Sequence, residues 1–354
     1  MKVDQHVKWA EPLLSWFYRN RRDLPWRTEG RRDPYSVWVS EIMLQQTRVE
    51  AVRPYYENWM EHFPTVEALA AADGDEVLRQ WQGLGYYSRA RNLHDSVKEV
   101  VSRYGGRIPA EKSELLTLKG IGDYTAGAIS SLAYNKDETA VDGNVLRVFA
   151  RLYGIRENIL SAKVKKKVTE LAREQLPEGK AGVFNEALIE FGALLCIPKS
   201  PKCGECPLRH FCEAKATGLE KELPLRITGK DTPTERYAVL ICRKSHTVLI
   251  HRRPSEGLLA SMWEFPMVRC DQPHGDGAGL RHYLSGQGLV VSVEETVTAE
   301  LKHVFSHKKW DLAVYEGRYV SGELAESEVW RWLPVEKYAA LPWAGPHGKL
   351  TACL

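Results

Sequence analysis

A chain of 354 residues, 44% hydrophobic and 27% charged, has room for two domains with separate cores and the makeup of a globular protein. No apolar run approaches the ~20 residues of a membrane span, and the opening MKVDQHVKWAEPLLSW places charges where a signal peptide needs an unbroken apolar core. A cytoplasmic protein without a membrane partner is therefore expected. The net charge of +3 divides into 32 Lys+Arg against 29 Asp+Glu through residue 215 and 17 against 17 beyond it, so a polyanion-binding role must rest on local patches.

Through residue 215 apolar residues recur at intervals of three and four, as in VWVSEIMLQQTRVEAVRPYYENWM and EALIEFGALLC, which predicts a helical domain over 1–215. Glu41 lies in the first of these stretches. Its neighbours at three and four residues are Val37, Trp38, Leu44 and Gln45, three of them apolar, so it lies on the face that should be buried; a buried Glu satisfied by a structural partner is the plainer alternative. A carboxyl in apolar surroundings has a raised pKa and can hold a proton near neutrality.

Farther along, LKGIGDYTAGAI joins a short helix to a helix of small residues. Gly120 and Gly122 let the backbone approach a ligand, and the N–H groups of the following helix start favour an anion such as a phosphate. An ordinary helix–turn–helix corner is the plainer alternative. Asp142, in AVDGNVLRVFARLYG, sits at the start of another helix, where the dipole favours its ionised form; a simple cap is the alternative there. A protonated acid and an ionised carboxylate are the pair that breaks glycosidic bonds through oxocarbenium-like transition states.

Four of the seven cysteines, Cys196, Cys203, Cys206 and Cys212, follow as C-x6-C-x2-C-x5-C. The odd total and the lack of an export signal favour a reducing compartment and a metal site over disulfides. A four-cysteine zinc site usually uses two separated C-x2-C knuckles. A single C-x2-C between wider gaps suits a polynuclear cluster in one loop, although zinc remains open at this point. Lys199, Lys202, Arg209 and His210 make the loop basic.

Residues 216–234 are polar and turn-rich and predict a linker. From 235 to 354 the texture changes. YAVLICRKSHTVLIHRR reads as two strands about a Lys-Ser-His turn, HKKWDLAVYEGRYV as one or two more, and GAGLRHYLSGQG as a helix, giving a smaller α+β domain.

Taken together, LKGIG, the VDGNV acid about twenty residues on, and the cysteine loop resemble the endonuclease III superfamily of DNA glycosylases. LPWR, VSEIMLQQT and GLGYYSRARNL narrow the resemblance to its adenine DNA glycosylase (MutY) branch. The resemblance implies a multidomain fold: an all-α helix-hairpin-helix glycosylase domain with an iron–sulfur loop, followed by an α+β Nudix-like domain. It implies that Glu41 protonates adenine N7 and later activates water, that Asp142 stabilises the sugar cation and that Asn144 assists. Tyr124 stands where bifunctional relatives carry a Schiff-base lysine, which implies a monofunctional enzyme. Arg22, Leu24, Trp26 and Glu186 are implied for the adenine pocket, and Gln46 and Tyr86 for wedging the duplex. Phe305, Ser306 and His307 are implied for recognising 8-oxoguanine, and Lys119, Gly120 and Gly122 for the DNA backbone. The four cysteines are implied as ligands of a [4Fe–4S] cluster. The implied partner is double-stranded DNA with A:8-oxoguanine or A:G mispairs, bound by a monomer associated with the nucleoid in a prokaryote. Two departures stand out: Lys119 replaces a proline common in relatives, and the segment after GLLASMWEFPMV lacks the clustered glutamates of a Nudix pyrophosphatase.

Overall fold

A computed structural model describes residues 8–28, 30, 32–227, 232–271, 277–324 and 329–354. The chain divides into two compact units, Met1–Ala71 with Asn92–Thr228 and Ala72–Arg91 with Gly229–Leu354. Among the described residues the first is helix and turn, the second is built on a mixed sheet, and the expected fold class is the one adopted.

In the first unit, helix Pro34–Leu44 starts from Asp33, whose carboxylate accepts from the N–H groups of Tyr35 (3.4 Å) and Ser36 (2.9 Å), with proline at the first helical position. It packs against helix Asp123–Tyr134. That helix ends at Asn135 in the left-handed region, whose side chain spans Gly179 O and the N–H of Gly182. Helices Ala10–Asn20, Gly143–Leu152 and Ala181–Leu194 share a core through Phe17, Phe149, Phe184 and Phe191. Within the segment expected to be a linker, Leu223 is buried and its carbonyl accepts from Arg151, while Leu225 O accepts from the N–H of Ile159; this stretch is therefore laid onto the helical unit.

The second unit holds β1 (Thr234–Lys244), β2 (Thr247–Arg252), β3 (Trp263–Glu264), β4 (Met267–Cys270), β5 (Leu289–Val293), β6 (Ala299–Val304), β7 (Lys309–Gly322) and β8 (Trp330–Pro334). The two runs expected about Lys-Ser-His are β1 and β2, with Ser245 left-handed in the turn. HKKWDLAVYEGRYV forms the single long strand β7, parallel to β1 on one side and antiparallel to β6 and then β5 on the other. Both faces of β1 are covered. Ala238, Leu240 and Cys242 face Leu280 and Leu284 of helix Gly277–Ser285, while Val239 and Ile241 join Trp263, Phe265, Trp310 and Trp343. Burial on both faces is why VLIC is apolar without alternation.

Candidate active site

Glu41 is buried, as its helical neighbours require. Helix packing also brings it to a partner 83 residues away: the Tyr124 hydroxyl, in the first turn of Asp123–Tyr134, donates to Glu41 Oε2 at 2.5 Å. Burial pushes the Glu41 carboxyl up to about 7; the tyrosine bond opposes this and the charge of Asp142 adds to it. Tyr124 itself is half-buried, and desolvation with the neighbouring carboxylates holds its hydroxyl well above the ordinary phenol range, so it remains a donor. Asp142 is the N-cap of Gly143–Leu152, accepting from the Val145 N–H (2.8 Å) and from Asn144 Nδ2 (2.7 Å). Burial raises its pKa, which the dipole argument alone missed, while these bonds and the nearby Arg147 lower it. The cap and the candidate reacting carboxylate are thus one residue.

Beside Glu41 opens a narrow pocket of about 60 Å³ whose walls include Arg22, Leu24, Trp26 and Glu186, all four residues expected there. Leu24 and Trp26 are buried, and the Trp26 ring meets Tyr56 edge-on at 5.2 Å. Three further residues on this wall escaped the sequence reading: Arg27, Arg32 and Glu190. Glu190 lies one turn beyond Glu186 on helix Ala181–Leu194 and accepts from Arg22 Nε and Nη2 (2.9 Å each) and Arg27 Nη2 (2.9 Å). Although burial opposes ionisation, the two guanidiniums hold the Glu190 carboxyl at about 2. Glu186 accepts from Arg27 Nε (2.6 Å) and Arg32. Three arginines and two glutamates thus fix each other, and a carboxylate acceptor faces the pocket. The i,i+4 spacing of Glu186 and Glu190 was a usable signal; the arginines, more than 150 residues away, offered none.

At the hairpin, Gly120 has φ +80° and a Cβ there would lie 2.7 Å from Asn92 Cβ, so the position needs glycine. Gly122 has ordinary φ and open space before it; it precedes Asp123–Tyr134 with no side-chain cap, leaving that helix start uncovered. Lys119 is exposed and pairs with Asp95 at 2.7 Å, so its cation is not free. Gln46, just past helix Pro34–Leu44, is exposed at φ 57°. In the second unit, Tyr86 is 43% exposed at φ 49°. Both expected wedges are therefore solvent-facing non-glycine residues in the left-handed region, a conformation that costs energy and that clusters at functional sites.

Phe305, Ser306 and His307 occupy the tip of the β6–β7 hairpin, closed by the Phe305 N–H donating to Lys308 O at 2.8 Å. Ser306 and His307 are exposed, while Phe305 packs edge-on against Trp310 at 5.0 Å. A cleft of about 680 Å³ in this unit is lined by all three and by Tyr86. Among the described residues its walls carry Arg91 and Lys349 and no carboxylate.

In the cysteine loop, buried Arg151 donates to Cys196 Sγ (3.3 Å), Ile197 O (2.8 Å) and Pro198 O (2.9 Å). Arg147 joins the Cys196 carbonyl (2.8 Å) to Asn144 Oδ1 (2.7 Å), one residue from Gly143 and two from Asp142. A family profile described as an HhH-GPD superfamily base excision DNA repair protein matches residues 39–174, one described as the iron-sulfur binding domain of endonuclease III matches 196–212, and a NUDIX domain profile matches 237–352. The chain is 35% identical to the adenine DNA glycosylase of Rattus norvegicus over 86% of its own length and 69% of that protein. It is 33% identical to that of Homo sapiens over 92% of its own length and 70% of that protein. The chain belongs to the adenine DNA glycosylase family.

A further member, from Buchnera aphidicola (subsp. Acyrthosiphon pisum, strain APS), is 34% identical over 73% of this chain and 74% of its own. Among solved structures, a thermostable thymine-DNA glycosylase superposes over 59% of this chain and 95% of its own, with a TM-score of 0.53 at 30% identity. The chain is an adenine DNA glycosylase of base excision repair, and its cysteine loop carries the family's [4Fe–4S] cluster. The donors fit that group. Burial pushes Cys206 up to about 12 and Cys212 up to about 11, so bound iron must supply the charge that keeps these sulfurs as thiolates. Arg151, already aimed at Cys196 Sγ, suits an anionic cluster.

Proposed function

We propose that this glycosylase excises adenine paired with 8-oxoguanine, and with lower preference adenine paired with guanine, by hydrolysis without strand cleavage. The observation that carries the pairing preference is the cleft that gathers Tyr86 with Phe305, Ser306 and His307. Extracting a base from the stack costs a few kcal/mol, and exposed residues already in strained conformations are suited to filling the gap.

The chemistry follows from two carboxyls with different hydrogen-bonding. Glu41 receives one donor and is held near 7, so at neutral pH a large fraction carries the proton that an adenine ring nitrogen takes up. Asp142 receives two short bonds and remains the anion that faces the growing positive charge on the sugar. When the base leaves with its bonding electrons, the Glu41 carboxylate can take a proton from the attacking water, and the products are free adenine and an abasic site. Glu186, fixed by Arg27 and Arg32, offers an acceptor to the exocyclic amine of adenine where a base with a carbonyl would be repelled. Tyr124 has no amine and cannot form a Schiff base. The iron–sulfur cluster, when bound, ties the cysteine loop together, and no step of base removal passes through it. In the second unit Glu264 is buried and paired with Arg253 at 2.6 Å, which supports a domain that binds and does not hydrolyse.

Single-turnover release of free base from duplexes carrying A:8-oxoguanine, A:G, G:T and A:T tests this reading. Release is expected to be fastest from A:8-oxoguanine, slower from A:G and absent from the others. Equal rates on the first two, or release of thymine from G:T, would overturn it.

A further inference from the structure

We propose that Glu235 is a positioning residue that determines how sharply the opposite base is discriminated, by holding the β6–β7 hairpin tip from behind. Glu235 lies on β1, beside Trp310 in the parallel β1–β7 register. Its carboxylate accepts from Lys308 Nζ (3.0 and 3.1 Å), Trp310 Nε1 (3.1 Å) and the Tyr237 hydroxyl (3.1 Å). Two of these donors are anchors of the tip. Lys308 closes the turn by accepting the Phe305 N–H, and the Trp310 ring is the surface on which Phe305 rests. The Trp310 ring is also engaged by the Arg253 guanidinium, 5.4 Å from its centroid. Besides the β6–β7 ladder and the ring contacts of Phe305, the tip is thus tied from behind by one half-buried carboxylate on the neighbouring strand. A four-residue turn carrying exposed Ser306 and His307 can discriminate between bases only if its backbone is fixed to a fraction of an ångström, which is the task of residues behind the contacting ones.

This inference rests on the proposed reading of the hairpin as the opposite-base site, and the test separates the two. Single-turnover adenine release is measured on A:8-oxoguanine and A:G duplexes for the full-length holoenzyme and for Glu235→Ala, Glu235→Gln and Phe305→Ala, with melting temperatures recorded. Glu235→Ala is expected to lower the ratio of the two rates by about tenfold, the scale of one charge-assisted hydrogen-bond cluster, through the 8-oxoguanine arm alone. Glu235→Gln, which keeps an acceptor for Trp310 and Lys308, is expected to recover most of the ratio. If Phe305→Ala lowers the ratio and Glu235→Ala does not, the inference fails and the hairpin reading stands. If neither changes the ratio, the reading fails and takes the inference with it. An equal loss on both duplexes with a fall in melting temperature would show Glu235 to be merely structural, which also overturns the proposal.

Discussion

Glu41 is the residue on which chemistry and stability meet. A carboxyl held at about 7 must be protonated to serve as an acid, so single-turnover excision should fall as pH rises through about 7. Because the Tyr124 bond lowers that pKa, Tyr124→Phe should move the descending limb to higher pH, as a rate–pH profile would register. The same shift acts on folding. Glu41 titrates near 4.5 when unfolded and near 7 when folded, so the folded form binds more protons across that window. Its contribution is complete below the unfolded value and is lost as pH rises through the folded one. Above pH 7 the wild type carries an ionised carboxyl in an apolar setting, at a cost on the order of 3 kcal/mol. Glu41→Gln should therefore melt higher than wild type at pH 8 and differ little at pH 4, as calorimetry would show. The inward position of Glu41 was legible because it needs only helical periodicity; its partner Tyr124, set by the packing of two helices, was not.

At the scale of elements, the site depends on how closely helix Ala181–Leu194 approaches the start of Gly143–Leu152. A Cβ on Gly192 would lie 2.6 Å from Asn144 Cβ and 3.2 Å from Asn144 Cα. Gly192→Ala must displace Asn144, which donates to Asp142. Excision should fall by tenfold or more, roughly, from a misplacement near 1 Å, while no reacting group is removed. The same helix carries Glu190 between Arg22 and Arg27. Removing a buried ion-pair partner leaves uncompensated charge, so Glu190→Ala should cost about 3–5 kcal/mol in denaturant unfolding. The sequence disclosed that Asp142 begins a helix, and the cysteine loop, because each is written within a dozen or so residues. It did not disclose the arginine–glutamate lattice, whose members come from opposite ends of the helical unit, nor that Leu223–Ile227, polar-flanked and turn-rich, would lie against Arg151 and Asn158.

At the scale of the whole molecule, the two units divide the proposed work: base removal belongs to the residues around Glu41 in the first, and reading of the opposite base to the hairpin and Tyr86 in the second. Tyr86 stands within Ala72–Arg91, a short stretch embedded between helical segments that packs with the sheet; locally helical sequence carried no mark of that excursion. With near-neutral charge in both portions, the proposed DNA affinity must rest on local surfaces, and the start of Asp123–Tyr134, which has no side-chain cap, is the one proposed for it. Cys206→Ser should lower the iron content and the visible absorption of the purified protein, because it removes one of the four thiolates expected to hold the cluster. The claim beneath all of this is that one buried, protonated side chain drives departure of the base. Adenine release by Glu41→Gln from an A:8-oxoguanine duplex, under single-turnover conditions with duplex binding measured alongside, tests it most directly. Binding retained with release abolished is the result predicted; release near the wild-type rate would contradict it.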